Sequence, residues 1–438
     1  MSVRKQFAKY VSQNVLGMIG ISLYILADTF FIAKAVGSKG ITALNLVLPV
    51  YSLIFAIGAM IGVGSGIRFS IARSKGEEEA DSYFPNALFF GTLIGIIFMF
   101  MGILIPNKIV AFLGGDAEII PVGTPYTRIF MTFAPCFIWN HICNAFVRND
   151  RAPGIAMMAT LFSSLFNIVM DYVLMFPFGL GMEGAALATA CSPIVGVLIC
   201  CTHLFSKKSQ VHLKLAKPSV KKLFHSCQVG VSAFVGEISS GVITAVFNFI
   251  ILALAGNVGV AAYGVVANTA LVAVSMFNGV AQGSQPLVSE YYGRGDSEKV
   301  RKILGFAVKT ALIFAVGIIA MIYLGTDIIV AVFNSEEDME LASYAVTGLR
   351  LYFLGFLFAG INIVGAGVLS AVESARWAFI ASILRGFVAI IACAFILSYL
   401  FGMNGVWLAF PAAEFITMVV TVVALWRGVW HPVNSNGR

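Results

Sequence analysis

The sequence predicts an all-α integral membrane protein: twelve transmembrane helices in two six-helix lobes related by a parallel internal repeat. Three observations predict it. Hydrophobic residues make up 59% of the 438 and charged residues 11%, against about a quarter charged in a soluble domain; the mean hydropathy is +0.92. Apolar stretches follow one another from Val11 to Trp426 with short breaks, each near the length of about 20 residues that crosses the hydrocarbon core as a helix. A pattern of small and polar residues then recurs half a chain later.

Taken in order, the spans fall near 11–36, 44–71, 85–113, 123–147, 154–178, 183–205, 224–255, 259–291, 302–333, 340–371, 376–401 and 404–426. The first apolar run lacks a small-residue cleavage site, so it reads as a retained span. An even count puts both termini on one side. That side carries twenty lysines and arginines, among them Arg73, Arg148, Arg151, Lys214, Arg294 and Arg438; the other carries Lys34, Lys39 and Lys108. The positive-inside rule makes the basic side, and both termini, cytoplasmic. The acidic loop 334–340 is then outside. A cell (inner or plasma) membrane location and a lipid bilayer as partner follow. The net charge of +7 sits in these short loops, which argues against nucleic acid as a partner. Cysteines and histidines show no metal-ligand spacing, and no organic cofactor is expected.

The longest polar break, 206–223, reads as a cytoplasmic linker between an N-terminal lobe, 1–205, and a C-terminal lobe, 224–438. The lobes repeat each other. Residues 37–79 align without a gap to 256–298 at a shift of 219, so that Gly37, Gly64, Ser70 and Gly76 match Gly256, Gly283, Ser289 and Gly295. The run Gly181-Met182-Glu183-Gly184 matches Gly402-Met403-Asn404-Gly405 at a shift of 221. Six spans per repeat preserve orientation, an arrangement suited to two lobes that rock around a central cavity.

Charges inside spans carry the functional reading, because a carboxylate at the helix centre costs about 2.5–3.5 kcal/mol on insertion scales. Asp28 in the first span and Asp171 in the fifth lie about 25 Å from the cytoplasmic end, at 1.5 Å rise per residue. Asn167 is one turn before Asp171 on the same face, and Thr189 enters the sixth span at matching depth. Two carboxylates, an amide and a hydroxyl make an oxygen-rich group able to take H+ or Na+; apart from Na+ no metal is expected. Interfacial residues facing water are the plainer reading. At the repeat shift Asp28 meets Phe247, so the lobes share a fold and not a chemistry. In the second half Glu237, with Gln282 and Gln285, is a candidate for substrate or a second coupling site. Arg385 and Glu414 are expected to form a structural ion pair, since either charge alone would be expensive there.

The Asp28-Thr29 pair with the run ending at Pro49, the stretch FVRNDRAPGIAM, the block ending at Thr189, AQGSQPL from Ala281 to Leu287, and the run ending at Glu414 together resemble the multidrug and toxic compound extrusion (MATE) family. The resemblance covers nearly the whole chain. It implies a V-shaped pair of six-helix lobes and antiport of drugs, dyes or metabolites against protons or sodium. It assigns the cation site to Asp28, Asn167, Asp171 and Thr189, and likens Glu237 to an acid of the seventh span. The first span contains no proline at which to bend; Gly17 and Gly20 are its nearest flexible points.

The expected protein is therefore not an enzyme but a monomeric secondary antiporter, exporting small cationic or amphipathic organic compounds in exchange for H+ or Na+. A lipid-linked sugar flippase of the same superfamily would carry more mid-membrane bases. A prenyltransferase-like membrane enzyme would need a D-D-x-x-D-type cluster, and a channel would need no coupling acids.

Overall fold

The structure is a computed structural model that describes residues 2–212, 217–333 and 338–430. Lys214, Arg438 and residues 334–337 of the acidic loop lie outside the described residues, as do 213–216 of the polar break. Among the described residues all regular structure is helical.

The chain runs through α1 (Val3–Val36), α2 (Ser38–Lys75), α3 (Ala80–Leu104), α4 (Pro106–Phe112), α5 (Ile119–Thr132), α6 (Ala134–Asn149), α7 (Pro153–Met175) and α8 (Gly181–Leu204). It continues through α9 (Val220–Gly293), α10 (Ser297–Phe333), α11 (Met339–Tyr352), α12 (Phe356–Ala371), α13 (Ala375–Ile383) and α14 (Ala389–Leu425). Nine helical stretches among the described residues are long and apolar enough to cross a membrane. Two of these are double spans. Helix α9, 74 residues long, breaks at Gly256 (φ 61°, ψ −156°), and α14 breaks at Gly402 (φ 57°, ψ −136°). The pair α5 and α6, bent by 48°, forms one more span at the proline-led start of α6. Twelve crossings result, the predicted architecture.

Prolines and glycines explain where helix ends depart from the sequence expectation. The third span was expected to reach residue 113, but α3 stops at Leu104 because Pro106, lacking an N–H, opens α4 instead of continuing the ladder. The tenth span is α11 and α12 joined through a 3₁₀ turn, Phe353–Gly355. The eleventh contains a π turn, Leu384–Val388, between α13 and α14.

The repeat is visible in the backbone. Gly37 (φ 78°, ψ −157°) takes the conformation of Gly256, its equivalent. Gly76 (φ 76°) matches Gly295 (φ 73°), and Gly181 (φ 50°) matches Gly402. A side chain strains this left-handed region, so glycine at each pair is a backbone requirement.

Packing divides the chain into two units that do not follow chain order. One comprises Leu16–Ile238 with Ser289–Gly295, the other Met1–Val15, Ser239–Val288 and Asp296–Arg438. In the first, helices α2, α3, α5, α6, α7 and α8 enclose a core that includes Phe69, Tyr126 and Phe146. The start of α9 lies against α2 so closely that a Cβ on Gly64 would stand 1.9 Å from the Ser226 carbonyl oxygen. In the second unit, around Trp407, Phe277, Phe353 and Phe356, a Cβ on Gly283 would stand 2.8 Å from Val11 Cα. Gly64 and Gly283 are repeat equivalents, so the same contact is built twice, with the first turns of α1 and α9 exchanged between repeats.

Gly64→Ala should destabilise the protein by about 1–3 kcal/mol through overpacking, visible as a lower melting temperature in detergent. Gly236→Ala, whose Cβ meets nothing within 4 Å, should leave it unchanged.

Candidate functional site

The first unit brings Asp28, Asn167, Asp171 and Thr189 together. Small residues set the approach: a Cβ on Gly17 would lie 3.6 Å from Thr160, and one on Gly20 would lie 2.7 Å from Leu161 and 3.8 Å from Ser164 Oγ. Helix α1 therefore runs close along α7, which aligns Asp28 with the Asn167–Asp171 face. Phe31, one turn beyond Asp28, packs on Tyr172 and Phe176 beyond the acids.

All four side chains are buried: Asn167 and Asp171 are fully enclosed, Thr189 is 3% exposed and Asp28 is 9% exposed. The Asn167 amide satisfies its neighbours when its nitrogen faces the carboxylate, because an oxygen there would oppose oxygen. Nδ2 then donates to Asp171 Oδ2 at 3.2 Å, while Oδ1 accepts from Thr189 Oγ1 and the Thr189 N–H, each at 3.3 Å. Asp28 Oδ1 and Asp171 Oδ1 are buried with no hydrogen-bond donor, and the two carboxylates are close enough to act on one another electrostatically.

Three tyrosines surround these acids, none of them singled out by the sequence. Tyr24, one turn before Asp28 on the same face, has its hydroxyl 3.2 Å from that of Tyr51. Tyr126, 2% exposed, reaches Thr189 with its hydroxyl. Tyr51 stacks on Phe55 (4.2 Å between centroids) and Phe130 (4.6 Å). The site is thus a pocket of oxygens with one aromatic wall, able to hold a proton or a small cation. The helical spacing from Asp28 could have revealed Tyr24. Nothing in their local sequence marks Tyr51 or Tyr126, which arrive from α2 and α5 by tertiary packing.

The other candidates divide between the units. Glu237, exposed on the side of α9 that carries Gly236 and Gly241, belongs to the first unit; Gln282, half-buried, and Gln285, 7% exposed, belong to the second. The second unit also holds the Arg385–Glu414 pair. Arg385 Nε donates to Glu414 Oε1 at 2.8 Å, and Glu414 is 3% exposed. Asn362, which sequence reasoning passed over, donates to Glu414 Oε2 at 2.6 Å and to its carbonyl oxygen at 2.8 Å. The criterion that found Glu414 was a charge inside an apolar span; widened to uncharged amides, it finds Asn362 as well.

Removing one partner of a buried pair leaves an uncompensated charge and costs about 3–5 kcal/mol, whereas replacing both by apolar groups can be neutral. Arg385→Met and Glu414→Met alone should each lower the yield of folded protein more than the double replacement does, measured by size-exclusion profile and melting temperature.

Comparison with known proteins gives a consistent picture. The model of the MatE family matches residues 15–173 and 233–400. The chain is 29% identical over 421 residues to the multidrug export protein MepA of Staphylococcus aureus (strain MSSA476), covering 94% of this chain and 91% of that protein. It is 28% identical over 429 residues to MepA of Staphylococcus saprophyticus, covering 97% and 94%. A solved structure, the outward-facing conformation of a multidrug resistance MATE family transporter of the MOP superfamily, superposes with a TM-score of 0.90 at 22% identity, covering 98% of this chain and 95% of that one. That likeness concerns the fold; the family model, matched over more than half of the sequence, establishes membership, and the chain belongs to the MatE family of multi-pass membrane transporters, which are not enzymes.

Proposed function

We propose that this transporter is a monomeric antiporter of the cell membrane, with both termini cytoplasmic, that exports small cationic or amphipathic organic compounds in exchange for H+ or Na+. The names of its MepA relatives, multidrug export proteins, support the export of varied substrates. One observation carries the coupling: Asp28 and Asp171 are buried, act on one another electrostatically, and each has a carboxylate oxygen without a donor. Two like charges buried in a low-dielectric environment repel, so the pair favours uptake of a positive ion.

Either ion suits the oxygens present. A proton would sit on one of the two carboxylates. Sodium would coordinate both carboxylates and the Thr189 hydroxyl, with the Asn167 amide turned so that its oxygen meets the ion. Loading changes the interaction between α1 and α7, and differential affinity for the cation shifts the balance between conformations. Glu237 in the first unit and, separately, Gln282 and Gln285 in the second are proposed as candidates for contact with substrate or with a second coupling ion, the carboxylate suiting a positive charge and the amides polar groups.

Asp171→Asn keeps the shape of the side chain and removes its charge. Coupling between two sites is commonly a factor of about 5–150, so this variant should lose at least about fivefold in substrate efflux from proteoliposomes driven by a pH gradient or a sodium gradient, each imposed separately. Normal expression with unchanged efflux under both gradients would remove the coupling role from Asp171.

A further inference from the structure

The chain that joins α8 to α9 carries charge of one sign. Residues 205–224 contain six lysines and no aspartate or glutamate. We propose that the described parts of this segment, at either end of the join, form a surface that lies along the membrane and binds the headgroups of anionic phospholipids.

Seating on the first unit is the first argument. Asp150, buried at the end of α6, accepts at Oδ2 from Ser209 Oγ (3.0 Å) and the Gln210 N–H (2.9 Å). Gln210 in turn accepts from Arg73, at its carbonyl oxygen (3.1 Å) and at its side chain (3.3 Å). At the far end the Ser219 N–H donates to Asn86 Oδ1 at 2.7 Å, and Asn86 Nδ2 donates to the Ser219 carbonyl at 3.2 Å. Lys222 turns inward, its Nζ 2.9 Å from Glu79 Oε1 and 2.6 Å from Ser82 Oγ. Fastened at both ends, the segment presents its remaining side chains from a fixed position.

The charge left over is the second argument. Lys207, Lys208, Lys217 and Lys221 are exposed, and among the described residues none has an acidic partner. The acids of the adjoining α2–α3 turn are largely engaged: Asp81 pairs with Arg73 (3.6 Å), Glu77 with Lys75 (3.8 Å) and Glu79 with Lys222. Glu78, the remaining acid of that turn, offsets at most one of the four charges.

Shape makes the partner a bilayer. The first turns of α9 have two faces, set by the helical period. Ser226 and Val229 pack on α2, against Gly64 and against Ile67 and Ile71. Val220 (70% exposed), Lys221 and Phe224 (60%) share the opposite face, and Phe205 (73%) is exposed at the end of α8. Both helices are spans, so their ends stand at the bilayer boundary. There an apolar side chain reaches acyl chains while a neighbouring lysine lays its stem over them and its ammonium among headgroups. Lysine clusters beside a span are drawn to anionic lipid. An acidic soluble protein would match the charge and leave the apolar side chains unexplained.

Lysine acetylation by a water-soluble succinimidyl acetate, followed at each residue by mass spectrometry, tests this on the full-length protein in nanodiscs. Discs of phosphatidylcholine alone are compared with discs that also contain phosphatidylglycerol. Neither lipid has an amine, and both faces of a disc carry the same lipid, so the result does not depend on which side the termini occupy. Lys299 and Lys302, paired with Asp296 and Glu298, serve as internal references for the field of the anionic surface. Relative to them, Lys207, Lys208, Lys217 and Lys221 should react about threefold or more slowly with phosphatidylglycerol present, and the difference should shrink at high salt. Equal slowing at the reference lysines, or no slowing anywhere, would overturn the proposal. Protection by added polyglutamate in phosphatidylcholine discs, with none from phosphatidylglycerol, would also overturn it and make the partner a soluble acidic chain.

Discussion

Two carboxylates enclosed side by side, with too few donors to satisfy them, are the constraint on which the functional account rests. In water the repulsion between Asp28 and Asp171 would be screened. Inside a membrane span it is not, and among the described residues no basic side chain bonds to either. The second unit solves the same problem differently: Glu414 has Arg385 and Asn362 on its two oxygens. One buried acid is satisfied within the protein, and the other two are held short of satisfaction. That difference between satisfied and unsatisfied charge is what distinguishes the Arg385–Glu414 pair from the site proposed to take a cation.

The fold supplies the enclosure through glycine. Where α1 meets α7, Gly17 and Gly20 remove the side chains that would hold the helices apart, and Asp28 is carried against Asn167 and Asp171 by that approach. Close contacts at Gly64 and Gly283 then exchange the opening turns of α1 and α9 between the repeats. Each unit is consequently built from both halves of the sequence, which makes a duplicated chain difficult to separate into independently folding parts.

The sequence revealed much of this because the bilayer restricts the alternatives. Twelve apolar stretches have little choice but to be helices, and the positive-φ glycines at 37, 76 and 181 mark their own partners at 256, 295 and 402, since other residues are strained there. The acids were legible for the same reason: a charge in hydrocarbon is rare enough to notice. Legibility failed where the signal is tertiary. Tyr51 and Tyr126 look like any aromatic in an apolar helix, and only packing brings them to the carboxylates. The stop at Pro106 was readable and was missed, whereas the π turn around Arg385 breaks no local rule. The seating of the segment between α8 and α9 was hidden because its lysines were read for orientation alone, and its bonds to Asp150, Arg73 and Asn86 depend on tertiary packing.

The central claim is that substrate and cation compete for one energetic balance through the Asp28–Asp171 pair. Ion displacement on substrate addition tests it most directly, with purified protein in detergent, a weakly buffered pH indicator for protons and radiolabelled sodium for Na+. The account predicts release of one of the two ions on substrate binding by the native chain, and none from Asp28→Asn/Asp171→Asn. Saturable substrate binding by the native chain with neither ion displaced would contradict it.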